Sequence, residues 1–489
     1  MKYATALTNE TRKTYTENGA TAYNTTGDAL VDFFSVGGSL READETRIER
    51  LFEEAKKENT LLALKALFYI RDVRGGLGER RTFRILLKYI ANHEPDLIKK
   101  NMWLIDEYGR YDDLYELIGT PVEEFMWNYV RSIFESDENY MSVGEPCSLL
   151  AKWLKSADAS SKKTRKLGIY TALKLGMTVP SYKRRVKALR RYIDVVEAKM
   201  STGKWTDINY EHVPSRASMV YRKAFWKHDP ERYSKYVEAA TKGEAKIHAD
   251  TLFPYDLIEK YAHSCWGFLN LPEQDDMTIE AQWKALPDYV GAEVNALVIA
   301  DTSGSMSGRP LYSALGLAIY FAQRNKGAFH NLWMSFSANS TVHKLKGYSL
   351  RQQLSSIDTR DWGMNTNLER AFEHVLEIGV SNNVSPKDMV KSLIVISDME
   401  IDHCTGEWSF YGEMKRRFER AGYEIPNIVF WNVESRHDVF HADATRPGVQ
   451  LVSGQAAGTF KQLMASIGKT PYQMMLDVLN SERYSMVSI

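Results

Sequence analysis

Apolar residues recur at three- and four-residue spacing through the first 270 or so positions, the pattern of amphipathic helices. Two such stretches, NTLLALKALFYIRDV (59–73) and RRTFRILLKYIANH (80–93), flank the glycine-rich break RGGLGE, which predicts a helical hairpin. Comparable helices are predicted in DLIKKNMWLIDEYG, EEFMWNYVRSIFES, CSLLAKWLKSA, RKLGIYTALKLG, RRVKALRRYIDVVEAKM and DPERYSKYVEAATKG. Strand-like alternation is nearly absent from this part. The helices follow no fixed period. They predict an irregular HEAT-like repeat array, with ring closure left open and a compact helical domain as the alternative.

The pattern changes after residue 275. LPEQDDMTIEAQWKALPDYVGAE carries prolines and acids without a clear period and reads as a linker or crossover over 276–292. From 293 to 489 apolar strands alternate with amphipathic helices. NALVIAD, NLWMSFSAN, KSLIVISDMEI, PNIVFWNVES and VQLVSG are the expected strands. PLYSALGLAIYFAQRN, TNLERAFEHVLEIG, FYGEMKRRFERAG, TFKQLMASIG and PYQMMLDVLNSERY are the expected helices. That βαβ alternation predicts a parallel, doubly wound α/β sheet. The fold class is therefore α + α/β, with an α-helical repeat domain over 1–275 and an α/β domain over 293–489.

Chemistry concentrates at the strand ends of the second part, where doubly wound sheets bind ligands. IADTSGSMSG places Asp301, Ser303 and Ser305 at alternate positions directly after an apolar strand. DWGMNTNLER offers Thr366 before a helix, and ISDMEID ends a strand on Asp398. Two carboxylates and three hydroxyls converging at one sheet edge form an oxygen-only donor set, suited to Mg²⁺ or Mn²⁺. No G-x-S-x-G elbow or Walker A motif is present, and no histidine is placed as a base, so an enzyme is not expected.

The order D-x-S-x-S…T…D resembles a von Willebrand factor A domain with a metal-ion-dependent adhesion site. On that resemblance Ser303, Ser305 and Thr366 contact the ion through hydroxyls, and Asp301 and Asp398 act directly or through water. An open coordination position then takes an acidic group from a protein partner. A helical array followed by such a domain resembles the Ro autoantigen, or TROVE-module, ribonucleoproteins. DTSGSM, SDMEID, GGSLRE and AKIHADTLFPYDLIEKY carry this likeness. A family of uncharacterised Ro-like proteins of phages and plants is more similar still, through TENGATAYNTTGDALVDFFSVGGSLRE, RDVRGGLGERRTFR and VPSRASMVYRKAFWKHDPERYSKYV. The Ro resemblance implies binding of small structured or defective RNA with single-stranded ends.

The chain's 63 basic and 63 acidic residues cancel, which excludes a uniformly basic coat but not a local patch. Between Ala159 and Ile193 there is no acid, and eleven cations: Lys162, Lys163, Arg165, Lys166, Lys174, Lys183, Arg184, Arg185, Lys187, Arg190 and Arg191. Tyr170, Tyr182 and Tyr192 are interleaved, and Lys223 and Lys227 flank Trp226 further on. The functional reading is an RNA surface; the alternative is a solvated face neutralised by acids of neighbours such as YDDLYEL (111–117).

Three cysteines, an odd number too widely spaced for a zinc knuckle, suit a reducing compartment. No signal-like h-region or transmembrane run is seen, so a cytoplasmic protein without membrane contact is expected. The alternative to an RNA scaffold is a metal-dependent protein–protein assembly module that binds no RNA.

Overall fold

The computed structural model describes residues 7–8, 10–265, 268–291, 294–360, 362–403 and 410–489. Its N-terminal region is helical and its C-terminal part is a mixed six-stranded sheet with helices. Chain contacts divide it into two compact units. One comprises residues 1–82 and 237–485, the other residues 83–236 and 486–489.

In the first unit, two short hairpins precede the main sheet: β1 (Lys13–Tyr15) with β2 (Thr21–Tyr23), and β3 (His263–Cys265) with β4 (Phe268–Asn270). The main sheet contains β5 (Ala296–Asp301), β6 (Leu332–Phe336), β7 (Ser340–Lys344), β8 (Ser392–Ser397), β9 (Asn427–Asn432) and β10 (Val449–Ser453), in the order β10-β9-β8-β5-β6-β7. β5 and β8, ALVIAD and SLIVIS, are buried at every position, as continuous apolar runs in central parallel strands should be. All pairings are parallel except β6 with β7, so the sheet is mixed rather than wholly parallel. β7 is STVHK, a half-exposed antiparallel edge strand too polar to announce itself.

The order of the sheet reverses between β5 and β8. β6 and β7 extend from β5 on one side, β9 and β10 from β8 on the other. Asp301 ends β5, and Asp398 follows β8 directly. The helix Arg309–Arg324, with Pro310 in its first turn and Ala314, Leu317, Ala318 and Phe321 buried, packs on β5.

The N-terminal residues complete this unit. The helix Ala29–Val36 packs against β10, and the helix Thr60–Arg71 against the helix Pro471–Leu479. After the first of these, Gly38 meets Gly454, where a Cβ on Gly38 would fall 2.9 Å from the Gly454 Cα. Two bare backbones are what allow this approach. The segment expected as a linker contains a helix, Met277–Ala285, whose N-cap Asp276 accepts from Thr278 N and Ile279 N. It buries Ile279 and Trp283, and the Trp283 indole donates to Gln323 Oε1 at 2.8 Å.

The second unit is helical. Its longer helices are Glu123–Val143, Lys162–Lys174, Val179–Tyr192 and Ser215–His228. The single helix expected over 184–200 divides into Val179–Tyr192 and Val196–Ser201, because Asp194 takes a left-handed conformation at φ 55°. The stretch expected as a helix over 147–157 keeps only Leu150–Trp153. Among the described residues no helix is long and apolar enough to cross a membrane.

Candidate functional site

Backbone register brings the two carboxylates together. Ala300 pairs with Ile396 across β5 and β8, so the next residues, Asp301 and Ser397, leave the sheet side by side. The Asp301 Oδ1 accepts from Ser303 N at 2.9 Å, which bends the loop at the strand end. That turn sets the Ser303 and Ser305 hydroxyls 3.1 Å apart. Asp301, Ser303 and Asp398 are buried, and Ser305 is half-buried.

The Thr366 loop is placed from two sides. The Thr366 N donates to Asp402 Oδ2 at 3.0 Å, and the Asp402 N returns a bond to Thr366 O at 2.9 Å, tying this loop to the one after β8. Met364 lies over the first loop: a Cβ on Gly304 would be 2.5 Å from its sulfur. Thr366 is fully buried, and its hydroxyl has no hydrogen-bond partner among the described residues. Buried hydroxyls are rarely left so, because the lost hydration costs about 1–3 kcal/mol.

The loop after β8 is bent by Met399 at φ 68°, an uncommon conformation for a residue with a side chain. Its N–H donates to Ser397 Oγ at 3.0 Å, and its carbonyl accepts from His441 Nε2 at 3.0 Å. Burial drives His441 down to about 4, so it is neutral when it makes this bond. The bend leaves Asp398 Oδ1 accepting from Glu400 N at 3.1 Å.

Burial, and then the neighbouring Asp398, push the Asp301 carboxyl up to about 7. Two neighbouring buried carboxylates, the Ser303 and Ser305 hydroxyls and a buried unpartnered hydroxyl on the Thr366 loop are the donor types of a hard divalent cation, and the residues present fit one. The sequence pattern missed two polar groups here. Arg436, on the loop after β9, forms an ion pair with Asp398 and reaches Glu17 Oε2 at 3.0 Å. His437 Nδ1 lies 3.0 Å from Glu400 Oε1. Their only signal in the sequence is their place just past the carboxyl end of a strand. Glu17 carries none.

The basic block lies in the second unit. Acids outside the block take three of its cations: Lys174 pairs with Glu124 and Arg185 with Glu138, both on the helix Glu123–Val143, and Lys183 with Asp158 of a turn at 2.8 Å. Arg190 is spent on the carbonyls of Ala151 and Leu154 and the Ser156 hydroxyl. Lys162, Lys163, Arg165, Lys166, Arg184, Lys187 and Arg191 are exposed and form no ion pair among the described residues. The acids of residues 111–117 do not neutralise them. Asp112, Asp113 and Glu116 instead surround Arg84 at 2.9, 2.6 and 3.3 Å.

Arg184, Lys187 and Arg191 fall on one face of the helix Val179–Tyr192. With Lys183, Arg190 and Lys152 they line a cleft of about 880 Å³, whose lining also includes Val195, Ala198 and Thr202. Asp158 and Glu197 are the acids of its lining, and Trp153, under the Arg110 guanidinium at 4.4 Å, and Tyr182 its aromatics. Arg185 points elsewhere, to Glu138. Lys162, Lys163, Arg165 and Lys166 on the preceding helix, and the exposed Lys223 and Lys227, are outside the cleft lining.

Two family models match the chain, both domains of unknown function. DUF2828 matches residues 16–128 and 137–293, and DUF7788 matches residues 295–482. The chain is also similar to the uncharacterized protein L728 of Acanthamoeba polyphaga mimivirus, at 27% identity over 95% of this chain and 87% of that one.

Proposed function

From the premise that this chain belongs to the DUF2828 family, and on its own residues, we propose that it is a Ro-like RNA-binding scaffold with a divalent-metal adhesion site. The observation that carries the RNA reading is the cleft of the second unit, where Arg184, Lys187 and Arg191 stand exposed without acidic partners among the described residues. Phosphates neutralised there supply affinity, and single-stranded bases reach the cleft more readily than a duplex does. The helical N-terminal region takes the part of a HEAT-like, TROVE-type module. The sheet takes that of a von Willebrand factor A domain. Asp301, Ser303, Ser305, Thr366 and Asp398 would hold Mg²⁺ or Mn²⁺, and the ion would supply a Lewis-acidic position for a carboxylate of a protein partner. The reading places the protein in the cytoplasm and assigns it no catalysis.

A titration of the purified protein with a structured RNA bearing a single-stranded 3′ end, repeated across salt concentrations, tests the reading. Tight binding that weakens steeply and linearly on a log–log salt plot supports it. Absence of binding at low salt overturns it in favour of a metal-dependent protein assembly module, the reading that the orphaned Thr366 hydroxyl favours by itself.

A further inference from the structure

Arg436 is outside the D-x-S-x-S…T…D set, yet its guanidinium rests on Asp398. Nη2 donates to Asp398 Oδ2, and Nη1 lies 3.0 Å from Glu17 Oε2. The Asp398 side chain is fully buried, whereas Glu17 is 42% exposed. Nε of Arg436 is buried without a hydrogen-bond partner among the described residues, and Asp398 and Glu17 are the carboxylates paired with the head group, with Glu400 and Glu434 nearby.

Glu17 sits in the turn between β1 and β2, and that turn is fastened to the loop carrying Asp398. The Glu17 N donates to Glu400 Oε2 at 2.7 Å, and Asn18 Nδ2 to Glu400 O at 2.7 Å. Thr16 Oγ1 donates to Ile401 O at 2.6 Å, and Gly19 bridges Asp402. The guanidinium therefore spans a buried carboxylate at the candidate ion site and an exposed one at its rim. A divalent ion that calls on Asp398, directly or through a water, meets a positive charge already bound there.

We infer that Arg436 sets the affinity of the ion site: it competes with the divalent cation for Asp398, and Glu17 is the acceptor it retains when the ion enters. The inference rests on the ion-site reading given above. It also ties the N-terminal hairpin to ion occupancy, since the hairpin holds the carboxylate to which the guanidinium retreats.

The test is a Mn²⁺ titration of the full-length protein, followed by electron paramagnetic resonance of the free ion, for wild type, Arg436→Gln, Glu17→Gln and Asp301→Ala. Removing the competing charge in Arg436→Gln tightens Mn²⁺ binding by on the order of tenfold. Glu17→Gln confines the guanidinium to Asp398 and weakens Mn²⁺ binding several-fold. These opposite signs separate competition from simple damage to the fold. Mn²⁺ bound by Arg436→Gln but not by wild type also supports the inference. Equal affinity in wild type and Arg436→Gln, or weaker binding in that variant, overturns it. If Arg436→Gln does not fold, unchanged affinity in Glu17→Gln overturns it. Binding in none of the four proteins, or undiminished binding in Asp301→Ala, removes the ion-site reading itself and the inference with it.

Discussion

The Ser397 hydroxyl donates to Asp301 Oδ2 at 2.6 Å and lies 3.4 Å from Asp398 Oδ1. One small side chain thus stands between two buried carboxylates and satisfies the nearer. It also accepts the Met399 N–H, so it fixes the bend that turns Asp398 toward Asp301. A single hydroxyl proton cannot serve both acids, and what remains is the charge that Arg436 answers.

Thr366 gives the first prediction. Its hydroxyl is buried and unpartnered, so Thr366→Val, close in shape, removes a cost when no ion is present. The expected result is unchanged or higher thermal stability in chelator, by up to about 1–3 kcal/mol. The same variant should lose most of the stabilisation that Mn²⁺ gives the wild type. Melting curves with and without Mn²⁺ check both signs. A hydroxyl with a purely structural role would lower stability in chelator.

Charge reversal in the cleft gives the second. Lys187→Glu with Arg191→Glu should weaken RNA binding by tenfold or more and reduce the log–log salt slope by about 1 per lost phosphate contact. Arg185→Glu, whose wild-type side chain already pairs with Glu138 away from the cleft, should change the slope far less. Fluorescence anisotropy at several salt concentrations distinguishes the pair. An equal effect from Arg185→Glu would move the RNA surface out of the cleft.

Asp32 gives a prediction in pH. It is buried in the helix Ala29–Val36, accepts from Thr26 N at 2.7 Å, and is pushed up to about 6 chiefly by burial. A carboxyl raised on folding contributes stability that is fully present below its unfolded value near 3.9 and is lost as pH rises through the folded value. Relative to Asp32→Asn, the wild type should therefore lose on the order of 3 kcal/mol between about pH 4 and pH 7. Urea denaturation of both proteins across that range measures the difference. A flat difference would show that Asp32 ionises alike in the folded and unfolded chains.

How much of this was legible depended on where the signal lay. NALVIAD and KSLIVISDMEI carry burial and chemistry in one run, so the strands, the sheet edge and the pair Asp301 and Asp398 could be read directly. β7 could not, because an edge strand exposes polar side chains and shows no apolar alternation. The helix Met277–Ala285 was hidden by flanking acids, although Ile279 and Trp283 stand four apart. The break at Asp194 is a backbone conformation, which side-chain periodicity does not encode. Arg436 and Glu17 meet only through tertiary folding, and no local spacing joins them. The basic block was visible as a run, but its division into paired and free cations depended on Glu124, Glu138 and Asp158, which lie outside it.

The discontinuity of the first unit also orders events on the ribosome. The second unit is nearly contiguous and, apart from residues 486–489, is complete once Tyr236 has been made, so its helices can pack while synthesis continues. Residues 1–82 emerge first but find β10 only after Ser453 has been made, when Ser453 Oγ accepts from Gly38 N at 2.9 Å. Until then Leu30, Phe33, Phe34 and Val36, all buried in the finished protein, have no sheet to cover them. Within the first unit, residues 1–82 are thus made well before the sheet that covers them, and their apolar side chains wait for it.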